Sequence, residues 1–397
     1  MGTSDGTVIG TTKIAGSGPA AARWNLVLLS DGYRASEMAQ YATDADNFVA
    51  HLFTTPPFSD NAFFGARYSD AINVWRVDVS STDSGADDPV TCGGTGASPA
   101  TYFDASFCNR GIKRLLLVNN TTATNVANAQ VPQWHMIMAM VNTPIYGGGG
   151  GAVATFSMAP GANEIGVHEM GHTAFGLADE YEYWAGCGVD TNRNNHPAVE
   201  PVEPNVTIDS NRATIKWGSL IDAATPMPTT SNPNCANCDS QPSPVPAATV
   251  GAFEGAHYYH CDAFRPEYDC KMRALNHDFC AVCRGVIRST LWPFVPKRRI
   301  PEWDEGIWDR IFEFDWVSDP VPWDVFRLLE VLRRSRGRSQ PALRDELSEL
   351  LTRIDQMDVG QLRTTLLRVK ASMARLDAAS KMIEAKIAEG LSAGPGA

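Results

Sequence analysis

Two histidines one helical turn apart, with a glutamate beside the first, form the most chemically pointed feature of this 397-residue chain: His168-Glu169-Met170-Gly171-His172. Residues four apart lie on one face of an α-helix, so both imidazoles can turn a nitrogen toward one cation. Glu169 sits beside the first ligand and can reach a water held by that cation without ligating it. Zinc lowers the pKa of such a water toward neutrality, and the carboxylate then takes its proton. The hydroxide attacks a peptide carbonyl, and Glu169 hands the proton to the leaving amine. One catalytic zinc ion is therefore the expected cofactor. The chain continues Phe175-Gly176-Leu177-Ala178-Asp179-Glu180-Tyr181. Gly176 suits a left-handed helix cap that turns the chain back under the metal. A carboxylate three residues later is placed to be the third ligand, which favours Asp179 and leaves Glu180 and Glu182 as alternatives. The bland alternative is a pair of surface histidines around a helical glutamate, with Asp179 in a surface ion pair.

Such a site needs a rigid helix behind it and strands to anchor that helix. Ala162 to Phe175 is expected to be the helix. Before it, Arg23 to Leu29 reads as a buried strand ending in the turn Ser30-Asp31-Gly32, and Ala35 to Leu52 carries apolar residues at helical spacing. Ile72 to Val79 alternates as a half-buried strand does, Ile112 to Val118 reads as a third strand, and His135 to Val141 as a central one. Tyr146 to Gly151 is a glycine run leading into a further strand. No Gly-Lys-Ser/Thr follows it, so it is not a phosphate cradle. It is expected to be either a plain hairpin loop or a rim whose edge pairs with an extended substrate backbone. Residues 182–250 should be mostly loops, and Phe279 to Leu291 a closing helix. The fold class expected is α+β: a mixed, twisted sheet backed by helices. Residues 1–20 read as a disordered lead-in, 21–292 as a catalytic domain (21–180 an upper part, 181–292 a loop-rich lower part) and 293–340 as a linker. At 341–390 the heptad-like spacing of Leu343, Leu347, Leu362, Leu366, Val369 and Met373 predicts a helical hairpin, which could pack internally or join two copies.

The formal net charge of −12 argues against nucleic-acid binding. No apolar run is long enough for a membrane span. The first stretch lacks the basic start and apolar core of a signal peptide. Nine cysteines leave at least one outside an internal disulfide. Cys92 and Cys108 bracket a loop that a disulfide could close. A structural metal at Cys235, Cys238, Cys280 and Cys283 is disfavoured, because the two pairs lie about twice as far apart as the usual ~15–20 residues.

The segment HEMGHTAFGLADEY, with LVLLSDGY, INVWRVDV and DSGADDP before it and KW…TPMPT, FEGAHY, FRPEYDCKMR and FCAVC after it, resembles the IgA peptidase family of bacterial zinc metallopeptidases. The resemblance runs from about residue 23 to 292 and leaves out the C-terminal helices and the segment around Cys235. It implies a metzincin-like catalytic domain, a protein or peptide substrate, export from the cell, His168, His172 and Asp179 as ligands, and Glu169 as base. Metzincins place the glycine three residues after the second histidine; here it comes one later, while the step from Gly176 to Asp179 is kept. The resemblance also implies that Met272 forms an apolar floor under the metal. It does not imply that immunoglobulin A is the substrate.

Tyr181 and Tyr258 are candidates to donate a hydrogen bond to the oxyanion, against the commoner role of packed aromatics. Glu254 is a candidate partner for a ligand histidine. A zinc deaminase would need one residue between histidine and glutamate and a Pro-Cys-x-x-Cys partner, and neither is present. The remaining alternative is a catalytically silent, zinc-stabilised scaffold acting through its C-terminal helices.

Overall fold

The computed structural model describes residues 2–62, 66–184, 186–187, 190, 192–239 and 241–296. The chain divides between Arg299 and Ile300, and the account below concerns the first unit. The hairpin expected at 341–390, and the expected linker from residue 297 onward, lie outside the described residues.

Six strands build one mixed sheet: β1 (Gly6–Ala15), β2 (Trp24–Asp31), β3 (Ile72–Ser81), β4 (Met136–Val141), β5 (Gly148–Gly149) and β6 (Ala154–Ser157). Their order is β1-β3-β2-β4-β6-β5, with the inner four mutually parallel and both edges antiparallel. β2 and β4 are buried at every position, which their near-continuous apolar sequences require of inner parallel strands. Alternation then divides two cores. Leu26, Leu28, Met138 and Met140 meet Phe48 of α1 (Met38–Thr54), Ile165 of α3 (Ala162–Phe175) and Ile287 of α4 (Ala281–Leu291) on one face. Val27, Leu29, Ile137 and Ala139 meet Ala123 and Val126 of α2 (Asn120–Gln130) on the other. Truncating any of the large residues to alanine should cost about 2–5 kcal/mol. The fold is thus mixed α+β, with a six-stranded sheet and four α-helices among the described residues.

Two expectations need correction. Residues 1–20 are not a disordered lead-in: Gly6–Ala15 pairs with β3 along its length, its β-branched Val8, Thr11, Thr12 and Ile14 suiting an edge strand. Ile112 to Val118 is not a strand. Leu117 bonds Ser106 and Leu116 bonds Gly148, so the segment meets different partners at single residues and builds no ladder.

The lower part is loop-rich, and its one hairpin among the described residues joins β7 (Phe253–Ala256) to β8 (Tyr259–Arg265). Disulfides Cys187–Cys238 and Cys235–Cys261 pin the loops, and Cys92–Cys108 closes the loop bracketed in the sequence. Cys270, Cys280 and Cys283 remain as buried thiols. The four-cysteine ribbon is therefore ruled out by pairing: Cys235 and Cys238 are oxidised to other partners.

Candidate metal centre

α3 follows β6 directly and is buried almost all round, so its histidines are fixed by core packing rather than by a surface turn. A Cβ at Gly171 would stand 2.6 Å from Met272 Sδ, so the thioether packs directly against the α3 backbone at the residue before His172. Gly176 ends α3 in the left-handed region (φ 61°), its N–H donating back to Gly171 and His172 carbonyls. The chain then doubles back along the imidazoles.

His168 Nε2 and His172 Nε2 lie 3.2 Å apart. His168 Nδ1 is 2.9 Å from the Lys271 carbonyl and His172 Nδ1 is 2.7 Å from the Leu177 carbonyl. A carbonyl only accepts, so each Nδ1 carries the proton and each Nε2 presents a lone pair. Asp179 Oδ1 faces both, at 3.0 and 3.2 Å. Its other oxygen accepts from the Tyr258 hydroxyl at 2.5 Å. Asp179 Oδ1 is buried and receives no hydrogen bond. Three lone pairs facing one another at this range repel unless a cation or proton lies between them. A tetrahedral zinc with nitrogen and oxygen donors spaces them about 3.3 Å apart, and three protein donors leave a fourth position for water or substrate. The residues present therefore fit the metal.

Electrostatics agree. Burial lowers the His172 pKa, but the Asp179 charge beside it outweighs burial and raises the value to about 10. His168 moves up for the same reason, and the Asp179 carboxyl is held far below its ordinary range despite burial. Glu169 is also buried; burial raises its pKa, and the neighbouring histidines offset part of the rise. Among the described residues nothing donates to its carboxylate, which leaves it open to a water.

The glycine run lies against this face. A Cβ at Gly148 would be 2.7 Å from Glu169 Oε1, and one at Gly150 2.6 Å from His172 Cβ. The open edge expected there is closed at Gly148, whose N–H and C=O bond Arg114 and Leu116 at 3.1 and 3.2 Å.

Tyr258 arrives on the two-residue turn between β7 and β8, where both His257 (φ 54°) and Tyr258 (φ 71°) are left-handed. Tyr181 stands beside it, ring centroids 5.5 Å apart, with its hydroxyl 3.5 Å from Arg114. Burial first, then the Asp179 charge, push both phenol pKa values up, so both stay protonated. Glu254 does not touch the histidines: it accepts from the Asn232 and Asp262 amides at 2.7 and 2.9 Å and ties the hairpin to its neighbouring loop. Glu182 pairs with Arg273 at 3.3 Å, and Glu180 turns toward the buried thiols, so neither joins the histidine pair. Three contributors had no sequence signal. Asn205, fully buried, brackets Ala178 by bonding both its N–H and its C=O at 2.8 and 2.9 Å. Lys271 orients His168 through its carbonyl, and Arg114 bonds both Tyr181 and the Trp184 carbonyl. A lone asparagine, lysine or arginine in a loop carries no periodicity that marks it.

A helix-borne histidine pair closed by a carboxylate from the following turn defines a candidate metallohydrolase centre. The profile of the family described as IgA Peptidase M64 matches residues 12–241 and 239–291, and the chain belongs to that family. Membership makes it a peptidase with a protein substrate. No curated protein matches the chain.

Proposed function

We propose that this protein is a zinc-dependent, metzincin-like endopeptidase with His168, His172 and Asp179 as ligands and Glu169 as general base. The observation that carries the reading is the convergence of two imidazole lone pairs and an undonated carboxylate oxygen within hydrogen-bond range of one another. A bound zinc would polarise the scissile carbonyl and acidify the attacking water. Glu169, buried and free of protein donors, takes the proton and passes it to the leaving amine. Lys271 and Leu177 carbonyls hold the imidazole tautomers, and Met272 supports the helix from below. Tyr258 donates its one hydroxyl proton to Asp179, so it would reach an oxyanion only by releasing that carboxylate; Tyr181, whose ring lies beside it, is the other candidate oxyanion donor. An extended substrate would meet the rim at Gly150, because Gly148 bonds Arg114 and Leu116, Gly149 pairs with Thr155 of β6, and the Gly151 N–H donates to Thr173. Three disulfides suit an oxidising compartment, as export would provide.

The test is zinc content and casein cleavage for the wild type and Glu169→Gln. Zinc held by both, with cleavage by the wild type alone, is expected. Cleavage by the variant at the wild-type rate would remove Glu169 from the mechanism.

A further inference from the structure

Glu180, Cys270, Cys280 and Cys283 bring four ligand atoms within 4.8 Å of one another in the buried interior. We propose that these four side chains bind a second, structural zinc ion, separate from the histidine centre.

The spacing is that of one tetrahedral ion. Zinc with thiolates at about 2.3 Å and a carboxylate oxygen at about 2.0 Å sets S–S edges near 3.8 Å and S–O edges near 3.5 Å. Cys270 Sγ and Cys283 Sγ lie 3.8 Å apart, and Glu180 Oε1 lies 3.3 Å from Cys283 Sγ and 3.7 Å from Cys280 Sγ. Backbone amides point at the sulfurs, as stabilised thiolates require: Cys280 N–H and Met272 N–H toward Cys270 Sγ at 3.3 and 3.5 Å, and Cys283 N–H toward Cys280 Sγ at 3.4 Å. Glu180 supplies an independent pointer. It is 0% exposed, Asn205 donates to its Oε1 at 2.8 Å, and its Oε2 has no partner. Burying a polar group without a partner costs of order ~2–7 kcal/mol, and a carboxylate ionised in such a place needs a compensating charge, which a cation on Oε1 supplies. Redox chemistry agrees. Six other cysteines of the same chain are disulfide-bonded, so a bare thiol pair at this separation would be open to the same oxidation. A metal explains why three thiols persist.

Four protein ligands leave no open position, so the ion is structural. It clamps three strands of chain that build the histidine centre. Glu180 follows Asp179, and its N–H donates to the Met272 carbonyl at 2.8 Å. Cys270 precedes Lys271, whose carbonyl holds His168, and Cys280 and Cys283 open α4.

The full-length protein, purified without chelator, should carry two zinc equivalents by mass spectrometry of the metal, and His168→Ala/His172→Ala should carry one. X-ray absorption at the zinc edge of that double variant should show sulfur neighbours at about 2.3 Å. Because Cys283→Ser can unfold the chain, the deciding measurement is on the double variant, which keeps all four groups. No zinc in it, zinc with only nitrogen and oxygen neighbours, or a disulfide among Cys270, Cys280 and Cys283 in non-reducing peptide maps would each overturn the proposal. A failure of the histidine centre leaves this readout intact, so the two proposals fall separately.

Discussion

Tyr258→Phe isolates one hydroxyl. The ring, the left-handed turn and the contacts to Tyr181 and Trp184 are all retained, so the difference reads the 2.5 Å bond to Asp179 Oδ2. A hydrogen bond to a charged, buried acceptor contributes about 1.5–3 kcal/mol. That bond localises charge and fixes the rotamer that presents Oδ1 to the imidazoles, so its loss should appear in metal affinity. The range converts to a roughly tenfold to hundredfold weaker zinc dissociation constant, the size expected for groups that orient a ligand. Zinc affinity is measured by competition with a chromophoric chelator, and casein cleavage is followed with zinc in excess. If Tyr258 only positions Asp179, excess zinc restores kcat. If its hydroxyl leaves Asp179 for the oxyanion during the reaction, kcat stays down by about 10²–10³ with zinc bound. Unchanged affinity together with unchanged cleavage would refute the coupling between this turn and the ligand.

Glu169→Gln should lower kcat by about 10²–10⁴ while zinc content holds; loss of zinc in that variant would make Glu169 a ligand instead. Asp179→Ala should lose the zinc of the histidine centre, while Glu182→Ala, which breaks only the Arg273 pair, should keep it; equal losses would displace Asp179. In the metal-free protein a proton is held up to about pH 10 at His172, so zinc must expel it. Affinity should fall about tenfold per pH unit on acidification below that value, and a flat series with a chelator buffer would contradict the arrangement. Met272→Leu should cost under about 1.5 kcal/mol in urea unfolding, and Met272→Ala about 2–5, since the side chain is fully buried under Gly171; equal costs would mean the thioether fills no specific space.

The sequence made α3 legible to the residue because every signal coincided: apolar content, the His-x-x-x-His spacing and the capping glycine. β2 and β4 were legible because strands buried on both faces are unbroken apolar runs. α2 was not, since Thr, Asn and Ala give Asn120–Gln130 almost no amphipathic contrast, and only Ala123, Val126 and Ala127 are buried. The β7–β8 hairpin was hidden for a different reason. Tight hairpins with two left-handed residues announce themselves through Asn-Gly or Asp-Gly, and here those places hold His257 and Tyr258. The Cys92–Cys108 bridge could be read from its loop, but the other two could not, because Cys187 finds Cys238 and Cys235 finds Cys261 across loops with no regular register. The spacing of Cys280 and Cys283 was noticed, but their companions Cys270 and Glu180 come from elsewhere in the chain.

That hidden turn is where local preference and site chemistry conflict. A left-handed backbone costs a residue with a Cβ about 1–2 kcal/mol relative to glycine, and here two consecutive residues carry it. Backbone bonds hold the turn in place: His257 N–H donates to the Asp179 carbonyl at 3.1 Å, and Tyr258 N–H to the Tyr181 carbonyl at 2.9 Å. His257 also bonds His196 through its ring at 2.9 Å, which braces the turn from the outer side. Glycine at position 258 would relieve the backbone but would leave Asp179 Oδ2 with no donor. Strain of this kind persists where the surroundings over-determine it. In this chain the surroundings are the segment bearing the carboxylate and the side chain that reaches it, so the turn is tied at both ends to Asp179.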